Sequence, residues 1–266
     1  MTPFELVLFS VDPAFVRRSV AAGATSVIVD WEHEEKEARQ RGADTEINRH
    51  TTDDLRRVRA ATDTHLLCRT NHGDRTPAEV EAAIHAGADE ILLPMVRTRR
   101  EVEKVLRLAD GRIRVGILLE TTAALDAAAE LAQLPLSRAY VGLNDLAIER
   151  RTRTIFDPLV DGTLERLRPL FRVPFGFGGL TLPDRGAPIP CRLLIGEMAR
   201  LRCSFSFLRR SFHRDVAGRD LGVELPRLRA AIDAAVARQA DAVARERMEL
   251  ERAIGVDRHR GLVGAA

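Results

Sequence analysis

Ser26-Val27-Ile28-Val29-Asp30-Trp31-Glu32-His33 is the stretch that decides the fold. A short β-branched, apolar run without polar alternation reads as a strand buried on both faces. It ends abruptly in two acids, a tryptophan and a histidine. The same design recurs downstream: residues 66–68 run into Arg69, residues 115–119 into Glu120, and residues 139–141 into Gly142-Leu143-Asn144-Asp145. Charged groups that follow successive parallel strands collect at one rim of the sheet. In a (β/α)8 barrel that carboxyl rim is where function lives.

Outward from this stretch, strand and helix patterns alternate along the chain. Strands are expected at residues 5–9, 26–29, 65–68, 90–93, 114–119, 138–141, 174–177 and 204–208. Helices are expected between them at 13–22, 51–61, 78–86, 99–109, 123–132, 162–171 and 189–201. Local chemistry supports several boundaries. Asp53 and Asp54 suit the first turn of a helix, Pro77 the first helical position, and Gly87 a stop. Eight strands alternating with helices predict an α/β fold, a closed (β/α)8 TIM barrel, with an open doubly wound sheet as the alternative. The barrel is expected over residues 1–222 and a C-terminal helical extension over 223–256. The core of the extension is a helix-like tract at 224–254 with an apolar stripe of Leu225, Leu228, Ile232, Val236 and Val243. It packs either on the barrel or, as an arm, on a neighbouring subunit of a homo-oligomer. Residues 257–266 read as a flexible tail.

Composition narrows the function classes. A chain of 266 residues with 45% hydrophobic and 30% charged residues is ordinary for one soluble barrel. The formal net charge of +2 gives no global case for a nucleic-acid or membrane partner. No apolar run approaches membrane-spanning length, and no basic region precedes the first short apolar run, so no signal peptide is evident. Cys68, Cys191 and Cys203 are widely spaced, form no Cys/His metal pattern, and read as buried free thiols of a cytoplasmic protein. Lys36 and Lys104 are the only lysines, and both lie in charged surroundings. A Schiff-base mechanism therefore has few candidates.

Each rim residue has a functional and a structural reading. Glu120 and Asp145, at the ends of adjacent strands, can share a hard divalent cation, Mg²⁺ or Mn²⁺; alternatively each caps the helix that follows. His33 can transfer protons, with Asp30 setting its orientation, or it is a surface histidine in an acidic loop. Arg69 can hold a carboxylate and a developing enolate oxygen, or make a structural ion pair. The loop Gly176-Phe177-Gly178-Gly179 can bind an anion through backbone amides or simply form a tight turn, and its spacing supports no nucleotide site. Arg209-Arg210-Ser211 reads either as an anion site or as a solvated basic edge.

Taken in order, these segments resemble the HpcH/HpaI aldolase family, which shares a superfamily with the citrate lyase β subunit. The resemblance rests on Val27-Ile28-Val29-Asp30-Trp31-Glu32-His33, then Arg69, then Ala86-Gly87-Ala88-Asp89-Glu90-Ile91-Leu92-Leu93-Pro94-Met95-Val96. It continues through Leu119-Glu120-Thr121 and Val141-Gly142-Leu143-Asn144-Asp145-Leu146. It implies a phosphoenolpyruvate/pyruvate-type barrel and a divalent metal on Glu120 and Asp145. It implies an enolate-stabilising Arg69 and an acid–base dyad of Asp30 and His33. Gly142, Asn144 and Gly178 join Arg69 as candidate substrate contacts. The implied reaction is reversible cleavage of a 4-hydroxy-2-oxo acid to pyruvate, or a related oxo acid, and an aldehyde.

The chain departs from the family pattern in three places. The basic stretch Ala147-Ile148-Glu149-Arg150-Arg151-Thr152-Arg153 lacks the usual glycine. Lys36-Glu37-Ala38-Arg39 is more like the citrate lyase branch, whereas His33 is more like the aldolase branch. Residues 175–210 resemble neither closely. Two rival readings follow: an acyl-CoA lyase whose CoA phosphates meet Arg150, Arg151 and Arg153, and a degenerate, non-catalytic barrel.

Overall fold

The computed structural model describes residues 3–33 and 48–255. Lys36, the segment 36–39 and the tail 257–266 lie outside the described residues. The strands are β1 (Glu5–Phe9), β2 (Ser26–Asp30), β3 (His65–Arg69), β4 (Glu90–Leu93), β5 (Arg114–Leu119), β6 (Ala139–Val141), β7 (Phe175–Phe177) and β8 (Phe205–Leu208). All neighbours run parallel, in the order β7-β6-β5-β4-β3-β2-β1-β8. Because β1 pairs with β8, from Glu5↔Phe205 to Leu8↔Leu208, the sheet curls round and the doubly wound alternative falls. The seam lies between β7 and β8. There the Ser204 amide donates to the Phe175 carbonyl (3.0 Å), and Leu180 forms a single bridge to Leu208. A Cβ on Gly176 would stand 2.3 Å from the Phe205 carbonyl oxygen, so only glycine allows the two strands to approach this closely.

The strands bury residues on both sides. Leu6, Leu8, Val27, Val29, Leu66 and Cys68 join the core beneath the helices. Their neighbours of opposite parity, Val7, Ile28, Leu67, Leu92, Leu118, Tyr140, Phe205 and Phe207, form a separate cluster that fills the lumen. Side chains alternate along a strand, so the residue two beyond the last lumen residue keeps the inward parity at the carboxyl rim. Those residues include Phe9, Asp30, Arg69, Glu120, Gly142 and Arg209. The strand period itself thus brings the acids and arginines together.

The amino end of the lumen is closed by polar groups. Arg138 donates to Glu90 (2.8 Å) and Glu5 (3.0 Å), and His65 (2.7 Å) and Ser137 (2.5 Å) also bond Glu90. The Arg138 guanidinium lies 4.8 Å from the Phe205 ring centroid. This end is remote from the carboxyl rim, where a barrel does its chemistry.

The outer helices follow the expected order, with altered ends. They are α1 (Pro13–Ala21), α2 (Thr52–Ala61), α3 (Thr76–His85), α4 (Arg99–Ala109), α5 (Thr122–Asp126), α6 (Ala128–Leu131), α7 (Leu143–Arg150), α8 (Thr163–Leu167), α9 (Cys191–Arg200), α10 (Arg210–Asp215), α11 (Leu221–Val236) and α12 (Ala240–Ile254). Reciprocal capping pairs, Thr51 with Asp54 and Thr98 with Glu101, start α2 and α4. The alanine-rich segment at 123–132 is two short helices that meet at Ala127. α7 and α10 have no counterpart in the sequence reading.

The tract at 224–254 is also two helices rather than one. The break at 237–239 carries neither Gly nor Pro; Arg238 stabilises it by donating to the Ala235 (2.8 Å) and Gly196 (2.7 Å) carbonyls. Leu225, Leu228 and Ile232 are buried, while Val236 is exposed. α12 lies on α9 of the same chain. Arg247 reaches Glu197 (2.6 Å), and Leu250 and Ile254 are buried. The second helix of the extension thus packs on the barrel of its own chain, while Val236 of the stripe is left exposed. Among the described residues no helix is long and apolar enough to cross a membrane.

Candidate active site

β2 and β3 pair with Asp30 opposite Arg69. This register makes a fork: Arg69 Nε donates to Asp30 Oδ1 (2.7 Å) and Nη2 to Oδ2 (2.6 Å). The Asp30 carboxylate also accepts from the Glu32 amide (3.2 Å) and from Asn48 (3.0 Å). Arg69 Nη1 stands 3.4 Å from Glu32, and its guanidinium lies 5.5 Å from the Phe9 ring centroid. The result is a charged arginine locked in one plane at the mouth of the lumen.

His33 is oriented differently from the expectation. The family resemblance pairs it with Asp30. Here Arg69 takes the Asp30 carboxylate, and His33 Nδ1 bonds the Trp31 carbonyl (2.8 Å). The His33 amide donates to Asn71 Oδ1 (3.0 Å), and Asn71 itself is held by Glu79 and by the Trp31 carbonyl. Asp30 therefore positions Arg69, while Trp31 and Asn71 position His33. The reason is register: a guanidinium directly across the ladder outcompetes a ring three residues along the chain.

Glu120 directly follows β5, and Asp145 lies in the first turn of α7. Both are buried, at 2% and 7% exposure. Neither caps a helix: Thr121 caps α5, and no side chain caps α7. Glu120 Oε1 accepts from the Met95 amide (2.9 Å). Burial and the negative charges of Asp145 and Glu32 push the Glu120 carboxyl up to about 8, with Arg69 offsetting part of the effect. Among the described residues no cluster of three or more His, Cys, Asp and Glu side chains stands ready for a metal. The donor set is instead two acids, in a field with too much negative charge. That chemistry fits a hard divalent cation whose remaining positions are filled by water and substrate oxygens.

The candidate substrate contacts divide. A Cβ on Gly142 would lie 2.2 Å from Glu120 Oε2, so this glycine makes room for the carboxylate. Gly142→Ala is accordingly expected to displace Glu120 and weaken divalent-metal binding about 10–100-fold, the range seen when a group that orients a ligand is disturbed. Calorimetry with Mn²⁺ checks this, and unchanged affinity would refute it. Asn144 is exposed in the first turn of α7, whose amino terminus has no side-chain cap. Gly178 takes φ +61°, a left-handed turn, and its amide donates to the Val141 carbonyl (3.3 Å). That use explains the glycine but leaves its N–H no free role toward a ligand.

Two arginines of the basic stretch at 147–153 have partners within the chain. Arg150 pairs with Asp161 (2.9 Å), and Arg153 donates to the Ile254 (2.7 Å) and Gly255 (2.8 Å) carbonyls. Arg150 and Arg153 are thus engaged internally, while Arg151 is exposed. Cys68 and Cys191 are buried, Cys203 is partly so, and all three are free thiols. Glu32, which the sequence offers only as part of the Asp30–His33 element, and Asn71, for which it offers no role, join the site in the structure. Their signal was present only in their closeness to Asp30 and Arg69.

A parallel eight-stranded barrel with buried acids and a clamped arginine at its carboxyl rim defines an enzyme scaffold. The family model of HpcH/HpaI aldolase/citrate lyase matches residues 5–155, and the chain belongs to that family, one of lyases. No curated protein matches the sequence. Among solved structures, an HpcH/HpaI aldolase from Desulfitobacterium hafniense DCB-2 is similar at TM-score 0.63 and 15% identity, covering 81% of this chain and 90% of that one. An HpcH/HpaI aldolase/citrate lyase family protein from Burkholderia cenocepacia J2315 is similar at 0.60 and 15%, covering 87% and 94%. The citrate synthase SbnG is similar at 0.59 and 16%, covering 81% and 91%. At these identities the structures support the fold alone.

Proposed function

We propose that this chain is a divalent-metal-dependent carbon–carbon lyase of the class II aldolase type. Its substrate is a 2-oxo acid such as a 4-hydroxy-2-oxo acid, cleaved reversibly to pyruvate, or a related oxo acid, and an aldehyde. The observation that carries this reading is the buried Glu120 held beside Asp145 in a net negative field, with the Arg69 clamp close enough to act on it electrostatically. Mg²⁺ or Mn²⁺ on Glu120 and Asp145 would polarise the carboxylate and keto oxygens of the oxo acid and lower the cost of an enolate.

The chain's own groups supply the rest. Arg69 uses two nitrogens on Asp30 and keeps further N–H groups for an enolate oxygen. When His33 Nδ1 donates to the Trp31 carbonyl, Nε2 is left as the proton acceptor. The uncapped start of α7 offers backbone amides to the substrate carboxylate.

The decisive experiment is α-deuterium exchange of pyruvate, which requires no knowledge of the aldehyde. Exchange should vanish with chelator and return with Mg²⁺ or Mn²⁺. Exchange that persists without metal, or none in the loaded protein, would overturn the reading.

Arg69→Lys tests the clamp. A lysine cannot form the fork, so exchange should slow by about 10²–10³, as when an oxyanion donor is lost. Asp30→Asn should produce a loss of the same kind through Arg69, and the two losses should not multiply in the double variant. Additive losses would mean that Asp30 acts elsewhere.

A further inference from the structure

Among the described residues, Arg209 is the one arginine at inward parity on the carboxyl rim that the proposed reaction leaves without a task. It follows β8, two residues beyond the lumen residue Phe207, with extended backbone at φ −66° and ψ 165°. Its Cβ packs against Gly179, 2.7 Å from where a Cβ would sit there, and Nη2 lies 3.2 Å from the corresponding point on Gly186. The guanidinium thus lies between the end of β8 and the loop that follows β7.

Unlike Arg69, Arg138, Arg150 and Arg200, it has no carboxylate partner among the described residues, and its Nε is buried without a hydrogen bond. Two residues on, Ser211 Oγ is also buried without a partner. The nearby Asp215 is held by Thr181 (2.6 Å) and Arg214 (3.5 Å). Arg210 is exposed and has a partner of its own, so it is not part of this pair.

A buried guanidinium nitrogen and a buried hydroxyl, both unsatisfied, cost stability unless an acceptor reaches them. An anion is the matching acceptor, because among the described residues no carboxylate forms an ion pair with this guanidinium. A tetrahedral oxyanion can take a guanidinium and a hydroxyl at once, and the loops after the seventh and eighth strands are a recurrent place for phosphate in this architecture.

We infer that Arg209 and Ser211 bind the phosphate of a phosphorylated aldehyde, the electrophile that meets the enolate. This rests on the aldolase reading for the role of the ligand, but not for its binding.

The test titrates glycolaldehyde phosphate, glycolaldehyde and glyoxylate separately into the wild type and into Arg209→Gln, Arg209→Lys and Ser211→Ala, by calorimetry. The wild type should bind the phosphorylated aldehyde at least about tenfold more tightly than either other probe. Arg209→Gln should remove that preference, Arg209→Lys should keep part of it, and Ser211→Ala should weaken phosphate binding alone. Equal binding of the phosphorylated and neutral aldehydes, or an unchanged preference in Arg209→Gln, would overturn the site. Tighter binding of glyoxylate would overturn phosphate as its ligand. Phosphate-dependent binding in a wild type that exchanges no deuterium into pyruvate would uphold the site and overturn the aldolase reading.

Discussion

His33→Ala is expected to slow pyruvate α-deuterium exchange by roughly 10²–10⁴, the range for losing a general acid–base group. Aldol cleavage should fall in parallel, because both need the same proton moved. Pyruvate affinity should be largely kept, since Arg69 and the carboxylate-bound cation would supply it. The structure sharpens this expectation. His33 is aimed by the Trp31 carbonyl and by Asn71, not by Asp30. Asn71→Ala should therefore lower exchange through His33, and the two losses should not multiply. Asp30→Asn combined with His33→Ala should multiply instead. Exchange at the wild-type rate in His33→Ala would return His33 to the role of a half-buried loop residue with no part in proton transfer.

Glu120→Gln is expected to weaken Mn²⁺ binding by more than about 10²-fold, beyond the 10–100-fold typical of groups that merely orient a ligand. The pH dependence carries further information. Burial, Asp145 and Glu32 raise Glu120 from its ordinary 4.5 to about 8, so the metal-free folded chain holds a proton there that the unfolded chain has released. In that window the folded state binds more protons than the unfolded one, and stability must fall as pH rises. The metal-free protein should thus lose thermal stability between about pH 4.5 and 8, with the full contribution present only below that range.

Cation binding must expel the same proton, so apparent affinity should climb with pH up to about 8 and then level. Glu120→Gln should flatten both profiles. Asp145→Asn should move the stability decline to lower pH, because it removes a charge that holds Glu120 up. Thermal unfolding across the pH range with and without Mn²⁺ measures both effects. A pH-independent affinity in the wild type would mean that Glu120 is not the ligand.

The barrel and the membership of its rim are legible in the local pattern of the chain. Apolar runs of four to six residues bounded by helical patterns are local signals, set by covalent neighbours and the need to bury both faces. A period of two then carries Asp30, Arg69 and Glu120 to the same end and the same parity as Ile28, Leu67 and Leu118. The family resemblance rests on these same segments.

Which side chain holds which is settled by packing. Asp30 meets Arg69 rather than His33 because β2 and β3 pair in that register. Gly142 is a glycine because the Glu120 carboxylate lies where its Cβ would be. The tract at 224–254 breaks and folds back on α9 because Arg238 and Arg247 find partners there. Arg209 stands apart from the paired arginines only once the ion pairs of the described residues are laid out. These choices depend on distances between residues far apart in the chain. A linear pattern carries no record of them, because register and packing are settled only when the barrel closes.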